Sequence, residues 1–347
     1  MRICNGRRKP FNIKVWCLGN EMDGDWQIGH KSAREYGRLA AETSKLLKLI
    51  DTTAETVVCG SSSREMATYK EWEREVLDLC YDTVDYLSLH QYYEPLSVSG
   101  DVRSYLSLAE RMNSFICEVT QICDEVGKKK HSDKKIGLSF DEWNVWYRLA
   151  EQGKTEEKAW QIAPPQLENV YNFHDAVLFT TMLNTLINHC DRVKIACLAQ
   201  LVNVIVPIMT APDGGVCLQT TYYPYYYASN YGRGEALAAE IDSPKYDCLE
   251  FSDVTALHVS GVRNGNELFV MLANRSAEDI SVELSVCGAS LSGIEEYKLM
   301  KSSSDAANTF SNPYNVVPQD VRAECGKSGL RLRVPAESLH FLRLNLN

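Results

Sequence analysis

The feature that most constrains the fold is a repeated switch of periodicity along the first two thirds of the chain. Short apolar runs at Lys14–Leu18, Thr56–Cys59, Val84–Leu89, Ile136–Phe140 and Val193–Leu198 read as strands. Between them lie stretches with helical apolar spacing: Ser32–Leu49 with Ser32 as cap, Glu71–Cys80, Asp101–Val126 and Asp175–His189. A short aromatic helix is predicted at Tyr222–Tyr231. Strands alternating with helices predict parallel βα units. Polar and aromatic residues gather where the strands end, at Gly19-Asn20-Glu21, Gly60-Ser61-Ser62, His90-Gln91-Tyr92, Asp141-Glu142-Trp143 and Gln200. Reactive side chains at the carboxyl ends of several strands fit a (β/α)₈ barrel. A doubly wound sheet also places its site there, but it usually carries a glycine-rich phosphate loop, and no GxGxxG or Walker A sequence occurs.

After Gly234 the pattern changes to short strands: Ala256–Val262, Glu267–Asn274, Ile280–Val286, Glu295–Met300, Leu330–Val334 and Ser338–Leu346, with turns such as Asn264-Gly265 between them. The expected organisation is therefore a catalytic barrel over 1–234 and an all-β sandwich over 235–347. A closed barrel needs eight strands, and only five precede the β module. Either the sheet stays open or the chain lacks its beginning.

Composition narrows the partners. With 36 basic and 46 acidic residues the net charge is −10, and no basic run exceeds Lys128–Lys130, which argues against nucleic acid. Neutral polymers such as polysaccharides stay open. The twelve cysteines are scattered and form no CxxC pair, which points to free thiols in a reducing cytoplasm. Met1–Pro10 is basic without the apolar core of a signal peptide. Ile195–Met209, the most apolar stretch, is interrupted by Gln200, Asn203 and Pro207 and is too short and polar to span a bilayer. The sequon Asn274-Arg275-Ser276 is expected to be chance. The seven histidines are far apart, so no metal-ligand cluster and no cofactor is implied.

Glu21 and Glu142 are the candidate catalytic pair. Cleaving a glycosidic bond with retention needs one protonated and one ionised carboxyl across the sugar, and two Glu at the ends of two barrel strands can supply them. Each sits among residues able to bind sugar: Trp16, Asn20, Trp26, Trp143, Asn144 and Trp146. A lone Glu after a strand is usually a solvated carboxylate. The run Phe140-Asp141-Glu142-Trp143-Asn144-Val145-Trp146-Tyr147 is too dense in acids, amide and aromatics for a routine loop.

That run, with Trp16-Cys17-Leu18-Gly19-Asn20-Glu21-Met22-Asp23-Gly24, Gly60-Ser61-Ser62-Ser63 and Ser88-Leu89-His90-Gln91-Tyr92-Tyr93, closely resembles the intracellular α-L-arabinofuranosidases of glycoside hydrolase family 51. The resemblance continues through Ala163-Pro164-Pro165, Ala199-Gln200-Leu201-Val202-Asn203 and Tyr223-Pro224, and weakly over the β module. It implies a (β/α)₈ barrel joined to a β-sandwich, with Glu21 as acid/base after strand four and Glu142 as nucleophile after strand seven. It implies that Asn20 holds the sugar 2-hydroxyl, that His90 and Tyr92 contact the catalytic carboxylates, and that Gln200 binds sugar. Trp146 is a further candidate substrate contact. Phe11–Glu21 would then be the fourth strand, with strands one to three absent and the fourth left with an unpaired edge.

The expected partner is an arabinose-containing oligosaccharide. The resemblance further implies a cytoplasmic enzyme, without nucleic acid or membrane partners, that forms homo-oligomers in its full-length form. Two alternatives are a barrel glycosidase acting on xylosides or β-glucans and a catalytically silent remnant.

Overall fold

A computed structural model describes residues 1–151, 162, 166–323, 325–326 and 329–347. The Ala163-Pro164-Pro165 motif lies outside the described residues. The elements run β1 (Val15–Cys17), α1 (Ala33–Ile50), β2 (Glu55–Cys59), α2 (Glu71–Cys80), β3 (Tyr86–Tyr93), α3 (Val102–Leu106), α4 (Ala109–Lys129), β4 (Gly137–Val145), α5 (Arg148–Glu151), α6 (Phe173–Asn188), β5 (Val193–Leu198), β6 (Ile208–Thr210), β7 (Val216–Leu218) and α7 (Tyr222–Tyr231). Among the described residues only strands follow: β8 (Glu235–Leu237), β9 (Lys245–Tyr246), β10 (Val254–Thr255), β11 (Leu257–Asn264), β12 (Glu267–Asn274), β13 (Ile280–Leu284), β14 (Leu291–Met300), β15 (Gln319–Asp320), β16 (Cys325–Gly326), β17 (Gly329–Val334) and β18 (Ser338–Leu346). The chain divides into two compact units, one of residues 1–91, 115–141 and 192–196, the other of 92–114, 142–191 and 197–347.

In the first unit, β1, β2 and the leading residues of β3, β4 and β5 form one sheet in that order. Val15 pairs with Glu55 and Val57 with Tyr86 in parallel register, as the βα alternation requires. Ser32 caps α1 in a reciprocal capping box with Glu35, so that helix begins where local chemistry says it should. Its inner face buries Tyr36, Ala40 and Ala41, and α2 buries Trp72, Val76 and Leu77. Tyr36 stacks on Trp72 at 5.7 Å between ring centroids. Its hydroxyl accepts from Cys59 N at 2.8 Å, locking helix to strand.

The second unit contains the β module. A six-stranded sheet, β15-β14-β18-β12-β11-β8, and a three-stranded sheet, β13-β17-β16, share a core that includes Leu268, Val270, Leu272, Leu330, Leu332, Leu342 and Leu344. Helix α6 is tied to β11 by Asn184 and Asn188, which donate to His258 O and Val259 O at 3.0 and 2.9 Å.

Two expectations are corrected. The helix read over Asp101–Val126 is two helices, because the Ser107 hydroxyl bonds back to Arg103 O at 2.7 Å and its N–H turns to Ser104 O, which breaks the ladder. Strands β3 and β4 run on through polar residues to Tyr93 and Val145, so His90, Tyr92 and Glu142 lie within strands rather than after them. The sequon Asn274 is fully buried and donates to Glu278 O and Pro335 O, which leaves its amide inaccessible to a glycan. All cysteines among the described side chains are free, and no described helix is long and apolar enough to cross a membrane.

One buried group makes stability depend on pH. His340 is fully buried, hydrogen-bonded at Nδ1 to Tyr297 Oη (2.7 Å) and at Nε2 to Ser338 Oγ (2.9 Å), and burial pushes its pKa down to about 4. The folded state binds its proton more weakly than the unfolded state, whose imidazole titrates near ~6.5. The stability this neutral imidazole contributes is present above ~6.5 and is lost as pH falls toward the folded value. Urea unfolding at pH 7 and pH 5 is expected to differ by on the order of 2 kcal/mol more in the wild type than in His340→Gln. Equal pH dependence in both proteins would remove His340 as the cause.

Candidate active site

In the first unit the chain leaves β1 through a turn that only glycine and a strained residue can make. Gly19 has φ +141°, and a Cβ there would lie 2.8 Å from Met22 Cγ. Glu21 follows at φ +46°, a region sparsely populated by residues with side chains and often held strained at functional sites. The half-buried carboxyl of Glu21 accepts three donors: Trp26 Nε1 at 2.6 Å and Gln27 Nε2 at 3.3 Å on Oε2, and His90 Nδ1 at 3.1 Å on Oε1. The loop that presents Trp26 is fastened by Asp23, which accepts from Ser62 N and, at 2.6 Å, from Ser62 Oγ. Gly24 lies against the indole, and a Cβ there would come within 2.5 Å of the Trp26 ring.

Ser88 and His90, two apart along β3, share a face. His90 is buried, and its Nε2 lies 3.2 Å from Asp141 Oδ1. Asp141 in turn accepts Ser88 Oγ at 2.6 Å and Ser139 Oγ at 3.0 Å. The imidazole therefore bridges two carboxyl groups, and the serines fix the far one. For Glu21, burial opposes ionisation, but the hydrogen bond and charge of His90 with the Trp26 and Gln27 donors outweigh it, holding its pKa below the usual carboxylate value.

In the second unit Tyr92 Oη donates to Glu142 Oε2 at 2.8 Å, and the Tyr92 ring meets Trp146 edge to face at 5.1 Å. Trp143 and Asn144, read as able to bind sugar, instead do structural work. Trp143 is fully buried against Phe179 at 4.9 Å, and buried Asn144 donates to Ala199 O at 2.8 Å and Ile205 O at 2.5 Å. Asn144 thereby fastens the segment that carries Gln200.

The first unit thus brings Glu21 and His90 together, with Asn20 exposed on the same turn; the second joins Glu142, Tyr92 and Trp146 and leaves Gln200 exposed. Sequence reasoning missed Asp141 as the partner of His90, Gln27 as a donor to Glu21, and the Asp23–Ser62 clasp. The signals were present: Asp141 is next to Glu142, Gln27 to Trp26, and Ser62 stands in the Gly60-Ser61-Ser62-Ser63 motif. Their pairing across tens of residues was not readable.

Residues 141–338 match the model of the α-L-arabinofuranosidase C-terminal domain. An intracellular exo-α-(1→5)-L-arabinofuranosidase of Streptomyces lividans is 47% identical over 98% of this chain and 52% of its own length. One of Bacillus subtilis is 44% identical over 99% of this chain and 69% of its own. The structure of a family 51 α-L-arabinofuranosidase from Bifidobacterium longum superimposes with a TM-score of 0.93 at 33% identity, covering 99% of this chain and 69% of that one. That of a Thermotoga maritima α-L-arabinofuranosidase in complex with arabinose gives 0.81 at 25% identity, covering 99% and 68%. The chain spans from about half to about two thirds of the length of these relatives.

Proposed function

Because the chain belongs to the α-L-arabinofuranosidases of glycoside hydrolase family 51, we propose that it is a retaining glycosidase that releases terminal non-reducing α-L-arabinofuranosyl residues from arabinan or arabinoxylan oligosaccharides. The observation that carries this reading is the contrasting surroundings of two carboxyl groups, one in each unit. Glu21 is coupled to an imidazole, a group able to exchange a proton with it, while Glu142 accepts a tyrosine hydroxyl that can hold a nucleophile in aim. In this reading β1–β5 are strands four to eight of a (β/α)₈ barrel over 1–234, and 235–347 form the sandwich domain. In this reading the enzyme works in the cytoplasm and its full-length form is a homo-oligomer; relatives named intracellular support the location.

The reaction runs by double displacement. Glu21 protonates the departing oxygen while Glu142 attacks the anomeric carbon, giving an arabinosyl ester; Glu21 then removes a proton from the water that displaces Glu142. Asn20 is assigned to the sugar 2-hydroxyl, Trp146 and Gln200 to the ring. His90 gives Glu21 a partner in both protonation states. Its Nδ1, 3.1 Å from Glu21 Oε1, is an atom that can either donate to the carboxyl or accept from it. Retention requires carboxyl groups about 5 Å apart. NMR of the sugar first released from an aryl α-L-arabinofuranoside tests the whole: the α-anomer is expected. The β-anomer, or cleavage of xylosides in place of arabinofuranosides, would overturn it.

The lowered pKa of Glu21 carries its own consequence. Glycosylation needs Glu21 protonated, so its pKa sets the alkaline limb of kcat/KM. Trp26→Phe removes the 2.6 Å donor, which favours only the ionised form, so the pKa rises. The alkaline limb is expected to move to higher pH. A limb that stays in place would dissociate it from Glu21.

A further inference from the structure

We propose that Asp175 is a positioning residue: through Tyr147 it sets Trp146, and through Trp146 the Tyr92 hydroxyl that holds Glu142. The inference rests on the reading of Glu142 as nucleophile.

Asp175 is fully buried in the first turn of α6. A buried carboxylate is costly unless hydrogen bonds surround it. Part of its surrounding is local: it closes a capping box with Asn172, whose N–H donates to Oδ2 at 2.7 Å. A cap needs no more than that. Yet Oδ1 also accepts Tyr105 Oη at 2.5 Å, and Oδ2 also accepts Tyr147 Oη at 2.5 Å. Tyr105 comes from α3, and Tyr147 from the residues directly after β4. One buried acid therefore gathers a helix start and two tyrosines from separate parts of the chain.

Only one of those tyrosines leads to the site. Tyr147 is held at its backbone by Asn169 Oδ1 (3.0 Å) and at its ring edge by Tyr171, 6.2 Å away. The preceding residue, Trp146, donates its N–H to Tyr93 O at 3.0 Å, so its backbone is pinned from both sides. Its indole then meets Tyr92, whose hydroxyl is on Glu142 at 2.8 Å. Side chains in such a close-packed path pass on displacements of a fraction of an ångström, and nucleophilic attack loses rate steeply with misplacement.

The two phenols allow a controlled test, because each gives the same carboxylate one hydrogen bond. Tyr147→Phe and Tyr105→Phe are compared for melting temperature and for kcat and KM on an aryl α-L-arabinofuranoside, with Asp175→Asn as a third variant. Tyr147→Phe and Asp175→Asn are expected to lower kcat about tenfold with KM changed less than about twofold. Tyr105→Phe is expected to keep wild-type kinetics while losing a similar amount of melting temperature. Equal kinetic losses in both tyrosine variants, or none in Tyr147→Phe, would overturn the inference and leave the carboxylate pair standing. A wild-type protein without arabinofuranosidase activity would overturn the reading of the site and the inference with it.

Discussion

Glu142→Ala is expected to abolish normal turnover, a loss on the order of 10⁴–10⁶ in kcat, as when a nucleophile that works in concert with other groups is removed. Added azide should restore release of a good leaving group by filling the vacated position and attacking the anomeric carbon directly. With one displacement in place of two, the product is a glycosyl azide of inverted configuration. NMR of that product is the check. A glycosyl azide of retained configuration from this variant would mean that the two carboxyl roles are exchanged. The Tyr92 hydroxyl, 2.8 Å from Glu142 in the wild type, stays in place in the variant and borders the position azide must take.

Glu21→Ala should divide substrates by leaving group. A substrate whose leaving group needs no proton should still form the arabinosyl ester, whereas one with a poor leaving group should lose roughly 10²–10⁴ of its rate, the usual contribution of general acid catalysis. Breakdown of the ester then lacks its base, so azide should accelerate it and give a retained product. A plot of log kcat/KM against leaving-group pKa is expected to be much steeper for the variant than for the wild type. Equal slopes would remove Glu21 from proton transfer. Trp26, Gln27 and His90 all lose their shared acceptor in this variant. The matching Glu21→Gln variant, which keeps the shape of the side chain, separates that structural loss from the chemical one.

What was legible in the chain is whatever depends on neighbours three or four residues away, or two along a strand. Ser32 and Glu35 announce the start of α1, and the apolar spacing of Glu71–Cys80 and Tyr222–Tyr231 matches α2 and α7 to the residue. The strand readings Glu267–Asn274 and Ser338–Leu346 likewise match β12 and β18, which pair with each other. The Glu-bearing motifs were legible too, because a density of acids, amides and aromatics at strand ends is itself a local property.

Tertiary structure alone decided the rest, since it depends on partners that sequence distance hides. Strand β4 continues through Asp141 because Ser88 and His90, about fifty residues earlier, satisfy that carboxylate; the apolar run by itself stops at Phe140. Trp143 and Asn144 look like sugar ligands in a list of residues, but Phe179, Ala199 and Ile205 claim them for packing. Asp175 reads locally as a helix cap and nothing more, until Tyr105 and Tyr147 arrive on the same carboxylate. A buried polar group must find its hydrogen bonds wherever the fold supplies them. Local periodicity could therefore fix where helices and strands lie, while the identity of each polar partner had to wait for the packed chain.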